Sequence, residues 1–347
     1  MNMRVARLYG KNDLRVEDIP VPDINDDEIL VRVKAAALCG TDYRMYSNGA
    51  AGVDEKNPLV LCHEFAGVIE KTGGRVDAYK AGQRVSVAPN IGCGVCDFCV
   101  SGNSHHCTSL VALGVHMDGG FAEFVKIPKP AVQLGNVTVL DDKVSFEAAA
   151  ANEAFACAYN AYERYTVFPG DVVLIIGAGA IGLMHAKLAK MSGASKIILN
   201  DISESRLAEC KKLEPSIITA KDDLLERVME ETNGKGANVV ITACSVASVQ
   251  QDALTYAGID GRVNFFGGLP KGKENVELDT NIIHYKQLIL TGTTRSSLWH
   301  YRKTLNFIAT GVVNIDPLIT HNYKLDEIKT ALDNLANAVG LKHVIVF

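Results

Sequence analysis

Val172-Val-Leu-Ile-Ile-Gly177-Ala-Gly179-Ala-Ile-Gly182 is a five-residue apolar run followed at once by G-x-G-x-x-G. Three glycines alone mark any turn. After an apolar strand and before a helical pattern, they describe the turn that carries a dinucleotide. The first glycine permits the sharp turn and the second lets the backbone approach a pyrophosphate. The third lets the helix lie close to the strand, with its N-terminal N–H groups facing the phosphates. Asp201 follows Gly182 by 19 residues, just beyond the next strand-like run Lys196–Asn200. An acid there accepts hydrogen bonds from the adenosine ribose hydroxyls and repels a 2′-phosphate, so NAD is expected over NADP. The candidate cofactor set is Gly177, Gly179, Ala180, Ile181, Gly182, Asp201 and Arg206.

Outward from that turn, the grammar continues as strand and helix in alternation. A strand is expected at Asp171–Ile176, a helix at Ile181–Ser192 and a strand at Lys196–Asn200. Alternation continues over Ala237–Ala243, Val246–Tyr256 and Gly261–Phe266, the pattern of an open parallel sheet. Upstream the chain reads mainly as strands and loops: Glu28–Lys34, Phe65–Glu70, Arg84–Ala88 and, after the turn signal Asp118-Gly-Gly, Phe121–Ile127. An alanine-rich helix, Ala148–Tyr165, joins the two regions. Downstream lie a helix, Leu298–Ala309, and a strand-like end, His343–Phe347, whose partner the pattern does not decide.

With 347 residues, two domains are expected. A net charge of −5 argues against a basic nucleic-acid face or a polybasic membrane surface. The longest apolar stretch, Val172 to Met184, is 13 residues with three glycines, too short for a bilayer. The N-terminus lacks the apolar run of a signal peptide. Nine cysteines, an odd number, suit a reducing compartment, and a cytoplasmic location is expected.

Cys93, Cys96, Cys99 and Cys107 form C-x2-C-x2-C-x7-C. Four thiolates held so closely suit one closed tetrahedral zinc site, and a site with four protein ligands has no room for substrate, so it is read as structural. Gly92, Gly94 and Gly102 are read as supplying backbone freedom. A disulfide pair would suit a small secreted protein, and an iron–sulfur cluster fits poorly because no proline follows the fourth cysteine. His105 and His106, inside the loop, are expected to be solvated.

Further motifs stand in order. They are Leu38-Cys39-Gly40-Thr41-Asp42, Cys62-His63-Glu64-Phe65-Ala66-Gly67, the cysteine loop, Asp118-Gly-Gly-Phe-Ala-Glu123 and the nucleotide turn. Together they resemble the zinc-dependent medium-chain alcohol dehydrogenases over essentially the whole chain. The resemblance implies an α/β protein with a β-rich GroES-like catalytic domain and a Rossmann domain, a doubly wound parallel sheet. The catalytic domain is expected at 1–152 and 293–347 and the NAD-binding domain at 153–292. The chain is most similar to the polyol (sorbitol-type) dehydrogenases, through Asn152-Glu153-Ala-Phe-Ala, Thr291-Gly-Thr-Thr-Arg295 and Gly340-Leu-Lys342. By that resemblance Cys39, His63 and Glu64 contribute to a catalytic zinc, and Glu153 ligates it or holds its water. Thr41 passes a proton, and Arg295 stands near substrate.

One thiolate, one imidazole and one carboxylate leave zinc neutral with a position open for an alcohol oxygen. Two zinc ions per chain, NAD, a small-molecule alcohol or polyol substrate and a homotetramer or homodimer are expected. Arg44 stands where many relatives carry a histidine that completes a proton relay. A guanidinium does not deprotonate at working pH, so either the proton leaves through water or another group, or Arg44 binds an anionic part of substrate or cofactor. Ala154 replaces the usual proline after Glu153, which loosens the backbone there. Three alternatives remain: a threonine or other secondary-alcohol dehydrogenase, a non-catalytic nucleotide-binding regulator, and a zinc-ribbon nucleic-acid binder.

Overall fold

In the computed structural model, which describes residues 1–347, the run Val172–Ile176 is an inner strand of a six-stranded parallel sheet. The strands lie in the order Ile218–Ala220, Lys196–Asn200, Val172–Ile176, Ala237–Thr242, Ala257–Phe265, Ile289–Gly292. The chain therefore winds outward from Val172–Ile176 to one side, then crosses back to wind along the other. That reversal puts the glycine turn at the point where strand order switches, the position such sheets use for a dinucleotide. Val173, Leu174 and Ile175 are fully buried, as expected for a strand covered on both faces. The helix after the turn is Ala180–Met191 and presents Leu183, Met184, Ala186, Leu188 and Ala189 inward.

Contacts divide the chain into two units, Met1–Ala156 with Ser296–Phe347, and Cys157–Arg295. One crossing lies inside the 20-residue helix Phe146–Tyr165, whose alanines Ala148 to Ala151 are buried. Alanine carries the highest helix propensity, and its small side chain lets neighbouring elements approach closely.

The first unit is β-rich. Its larger sheet is built on Ile29–Ala37, antiparallel to both Glu64–Thr72 and Phe124–Ile127. The C-terminal strand Lys342–Val346 pairs antiparallel with Ile29–Ala37 and parallel with Ile319–Tyr323. This gives the C-terminus its partner and brings residues 304 positions apart, Leu38 and Lys342, into contact. A second sheet contains Asn2–Gly10, Asp13–Pro20 and Leu59–Val60. One expected strand is shorter than its pattern: only Phe124–Ile127 pairs as a strand. Phe121 instead closes a loop, its N–H donating to Leu61 O and its carbonyl accepting from Ala6 N. Beside it Ala122 forms an isolated antiparallel bridge with Val5, so this end of the pattern pairs with the first strand rather than extending Phe124–Ile127.

Candidate metal centres and nucleotide site

Cys39 lies two residues beyond the strand Ile29–Ala37 and is the N-cap of the helix Gly40–Asn48. Three residues on, Asp42 is fully buried, and each carboxylate oxygen holds one loop. Oδ2 accepts from Cys39 N at 2.8 Å and Oδ1 from Cys62 N at 3.1 Å. The second bond fixes Cys62 in a left-handed conformation, φ +80°, which points the chain so that His63 and Glu64 turn inward. The Asp118-Gly-Gly turn braces the same loop: Gly120 N donates to Cys62 O, and Asp118 Oδ1 accepts from Val60 N.

The outcome is that one ligand atom each of Cys39, His63 and Glu64 lies within 4.8 Å of the others. His63 and Glu64 are buried, and Asp42 Oδ1 stands 3.9 Å from His63 Nδ1. Burial pushes the Cys39 thiol up, but His63 and Lys342 outweigh it and draw it down to about 7. Burial pushes His63 down, yet the Cys39 thiolate, Asp42 and Glu153 hold it well above its ordinary value. Glu64 is pushed well up by burial, against the opposing pull of Lys342, whose Nζ lies 2.6 Å from Glu64 Oε2. Glu64 Oε1 is buried without a hydrogen-bond partner. A soft thiolate, an imidazole and a carboxylate with an orphaned buried oxygen, all converging, fit a zinc ion.

Glu153 lies outside that 4.8 Å cluster, although its charge acts on His63, Glu64 and Lys342. Thr41 Oγ1 accepts from Arg44 Nη2 at 2.8 Å, so the exposed Arg44 folds back over its own helix. Two residues with clear work here stand in quoted motifs but have no role assigned from the sequence: Asp42 and Lys342. The Gly340-Leu-Lys342 match was the available signal for Lys342; burial and its bond to Leu38 O at 2.8 Å are what give it meaning.

The four loop cysteines converge, their sulfurs within 4.8 Å of one another. Cys93 Sγ accepts from Cys96 N at 3.4 Å, and Cys107 Sγ from Cys93 N at 3.3 Å. Backbone N–H groups of Val95 and Cys96 draw the Cys93 thiol down to about 6, while burial pushes Cys99 up to about 12. Gly92 matters for space rather than freedom, since a Cβ there would stand 2.6 Å from Cys99 Sγ. The expected solvation of both histidines needs correcting. His106 is exposed, but His105 is fully buried, with ring centroids 3.9 Å from His106 and 5.7 Å from His300. Neighbouring loop character gave no warning that one of the two turns inward.

In the second unit, a Cβ on Gly182 would lie 1.9 Å from Gly177 O, so only glycine lets the helix start this close to the strand. Asp201 Oδ2 accepts from Ala178 N and Oδ1 from Ser203 N, both at 2.8 Å. The acid is thus fixed against the turn itself. Arg206 lies in the first turn of Glu204–Leu213, capped by Ser203. Arg295 closes the unit, exposed and with φ +57°.

Residues 25–136 match the alcohol dehydrogenase GroES-like domain and residues 180–310 the zinc-binding dehydrogenase family. A sorbitol dehydrogenase of Bacillus subtilis is 34% identical over 96% of this chain and 93% of its own. The chain belongs to the zinc-dependent medium-chain alcohol dehydrogenases. An L-threonine 3-dehydrogenase of Rhizobium etli is 32% identical over 96% of this chain and 95% of its own. A zinc-binding dehydrogenase of Sinorhizobium meliloti, solved with NADP, superposes with a TM-score of 0.90 at 28% identity over all of both chains. The protein is accordingly an oxidoreductase that uses zinc and a nicotinamide cofactor on a small-molecule alcohol, with the GroES-like and Rossmann architecture expected. No helix is long and apolar enough to cross a membrane.

Proposed function

We propose that this dehydrogenase oxidises a secondary hydroxyl of a polyol or polyol phosphate to the ketone, with NAD as acceptor and two zinc ions per chain. The observation that carries the catalytic reading is the convergence of half-buried Cys39 with buried His63 and Glu64, with Glu64 Oε1 left unpartnered. Zinc bound there supplies Lewis acidity that lowers an alcohol's pKa, and NAD supplies a hydride acceptor.

The chain's own residues do the rest. Asp42 holds the Cys39 and His63 loops at fixed spacing and faces the imidazole, the type of support that fixes a ligand's orientation. Lys342 balances the Glu64 carboxylate through its Oε2, while Glu153 adds charge beyond the cluster. Thr41 accepts from Arg44, which leaves its own hydrogen to donate, so a proton leaves through its hydroxyl and water rather than through a titrating histidine. The Cys93–Cys107 loop holds the second, structural ion.

Asp201 supports NAD, because two backbone N–H groups fix its carboxylate where a 2′-phosphate would come. Arg44 and Arg295 supply cationic donors for neighbouring hydroxyls or a phosphate. We propose a cytoplasmic homodimer or homotetramer. The outer strand Ile289–Gly292, with its exposed Ile289, Tyr285 exposed just before it and Ile259 exposed on the neighbouring strand, supports self-association.

The test is a matrix of kcat/KM: NAD and NADP against sorbitol-type polyols, their phosphates, L-threonine and 2-propanol. A pocket built for several hydroxyls rejects analogues that leave its donors unpaired, so a vicinal polyol or its phosphate should lead. The second reading, L-threonine as substrate, rests on the Rhizobium etli relative, and threonine leading the matrix would establish it.

A further inference from the structure

Arg295 is the last residue of the second unit and has φ +57°, the left-handed region that any residue with a Cβ disfavours. Such a conformation persists where surrounding structure over-determines it. One support comes from Asn160, four positions past the helix crossing at Ala156 and 3% exposed. Its Nδ2 donates to Arg295 O at 2.9 Å and to Thr294 O at 3.2 Å, so both amide hydrogens close on two consecutive carbonyls. A second carboxamide grips the base of the same segment. Asn264, fully buried, donates through Nδ2 to Thr291 Oγ1 at 2.9 Å, and Thr291 donates on to Val263 O.

We propose that Asn160 is a positioning residue that sets the direction in which Arg295 leaves the chain, and so determines selectivity for a polyhydroxy or phosphorylated substrate. This rests on the reading of Arg295 as a substrate contact. Rotation about N–Cα out of the left-handed region re-aims the Cα–Cβ bond, and with it the whole guanidinium fork. Without Asn160 the two carbonyls lose their shared donor, and the left-handed conformation of residue 295 loses that support. The clamp acts on direction rather than on charge, because Arg295 keeps its cation either way.

Two measurements on the zinc-loaded enzyme test this. Trypsin cleaves after arginine only where the backbone opens, so Asn160→Ala should speed cleavage at Arg295–Ser296 about tenfold relative to the protein's other sites. In steady-state kinetics the same variant should lower polyol kcat/KM about tenfold relative to 2-propanol, mainly through KM. Added to Arg295→Ala, it should lower that ratio no further, since both changes act through one side chain. Asn160→Ser keeps one donor, should fall between, and serves if Asn160→Ala does not fold. Unchanged cleavage at 295–296 in the folded variant overturns the clamp. Equal loss on both substrates, or full additivity with Arg295→Ala, overturns the link to selectivity. Arg295→Ala alone addresses the reading beneath it: an unchanged polyol preference removes Arg295 from the substrate site, and the cleavage experiment still judges the clamp.

Discussion

The nucleotide unit takes its candidate residues from one passage, Gly177 to Arg206, whereas the metal cluster of the other unit is gathered from Cys39, His63, Glu64 and, in support, Lys342. The two also handle buried charge differently. Around the cluster, Asp42, His63, Glu64, Glu153 and Lys342 are all buried and act electrostatically on one another. In the nucleotide unit the buried His185 has no such company, and burial alone pushes its pKa down to about 3, so it stays neutral. Charge buried with partners is high-stakes, because removing one partner strands another. A neutral buried group is indifferent until pH forces a proton on it.

The largest effects should come from the metal sites, and they should separate. Structural zinc contributes about 10–16 kcal/mol in small zinc-binding peptides, so Cys96→Ser should lose one of two zinc ions with a large fall in Tm. His63→Ala should abolish turnover while leaving most of that stability. Zinc content, Tm and activity measured together decide it. One zinc per chain in the wild type, or a normally stable and active Cys96→Ser, would remove the structural role from the loop.

Next in size is the buried pair. Lys342→Met leaves Glu64 without its cation, a change that costs about 3–5 kcal/mol when a buried ion pair loses one member. The loss should be greatest after chelation and should shrink when zinc is restored, since the metal supplies positive charge to the same carboxylate. Urea unfolding with and without zinc reads both values. A loss independent of zinc would mean that Glu64 and the metal do not share the site.

How much of this was legible follows the same division. The nucleotide turn was readable because its strand, glycines and acid fall within one β-α-β passage, where local sequence dictates geometry. The cysteine loop was readable for the same reason. The Cys39, His63 and Glu64 set came only through resemblance, because no spacing rule brings residues 24 positions apart together. Asp42 was quoted as part of a motif, yet its two bonds to separate loops exist only once the loops meet. Lys342 depends on the pairing of the final strand with Ile29–Ala37, the partner that pattern left undecided. His105 shows the converse limit, a loop residue that packing turned inward.

In the nucleotide unit, Asp201→Ala removes an acid held by Ala178 and Ser203. It should weaken NAD by about 1–3 kcal/mol through lost charge-assisted bonds to ribose. It should also narrow the gap to NADP by removing repulsion of the 2′-phosphate. The ratio of kcat/KM for the two cofactors, in both proteins, is the measurement, and a wild-type preference for NADP would reverse the assignment.

The smallest effect isolates the neutral histidine. Tyr165 is itself pushed well above its ordinary value by burial and so keeps its proton, and its hydroxyl and His185 Nδ1 share a hydrogen bond of 2.9 Å. In the unfolded chain His185 returns to the ordinary histidine value, about 6.5. Its folded value lies below its unfolded one, so the unfolded state binds more protons between roughly pH 6.5 and 3. The stability is therefore complete above pH 6.5 and is lost progressively as pH falls toward 3. From pH 6.5 to 5.5 this group alone should cost about 1 kcal/mol. His185→Gln keeps a hydrogen-bonding group opposite Tyr165 but cannot titrate. Every metal ligand and surface carboxylate is common to both proteins, so the difference between their urea-unfolding curves over that interval belongs to residue 185. The wild type should lose more stability than the variant on acidification, even if the variant starts lower. Parallel pH dependences would mean that His185 takes up a proton in place, and the contrast between a charged cluster in one unit and a neutral core in the other would fail at its simplest point.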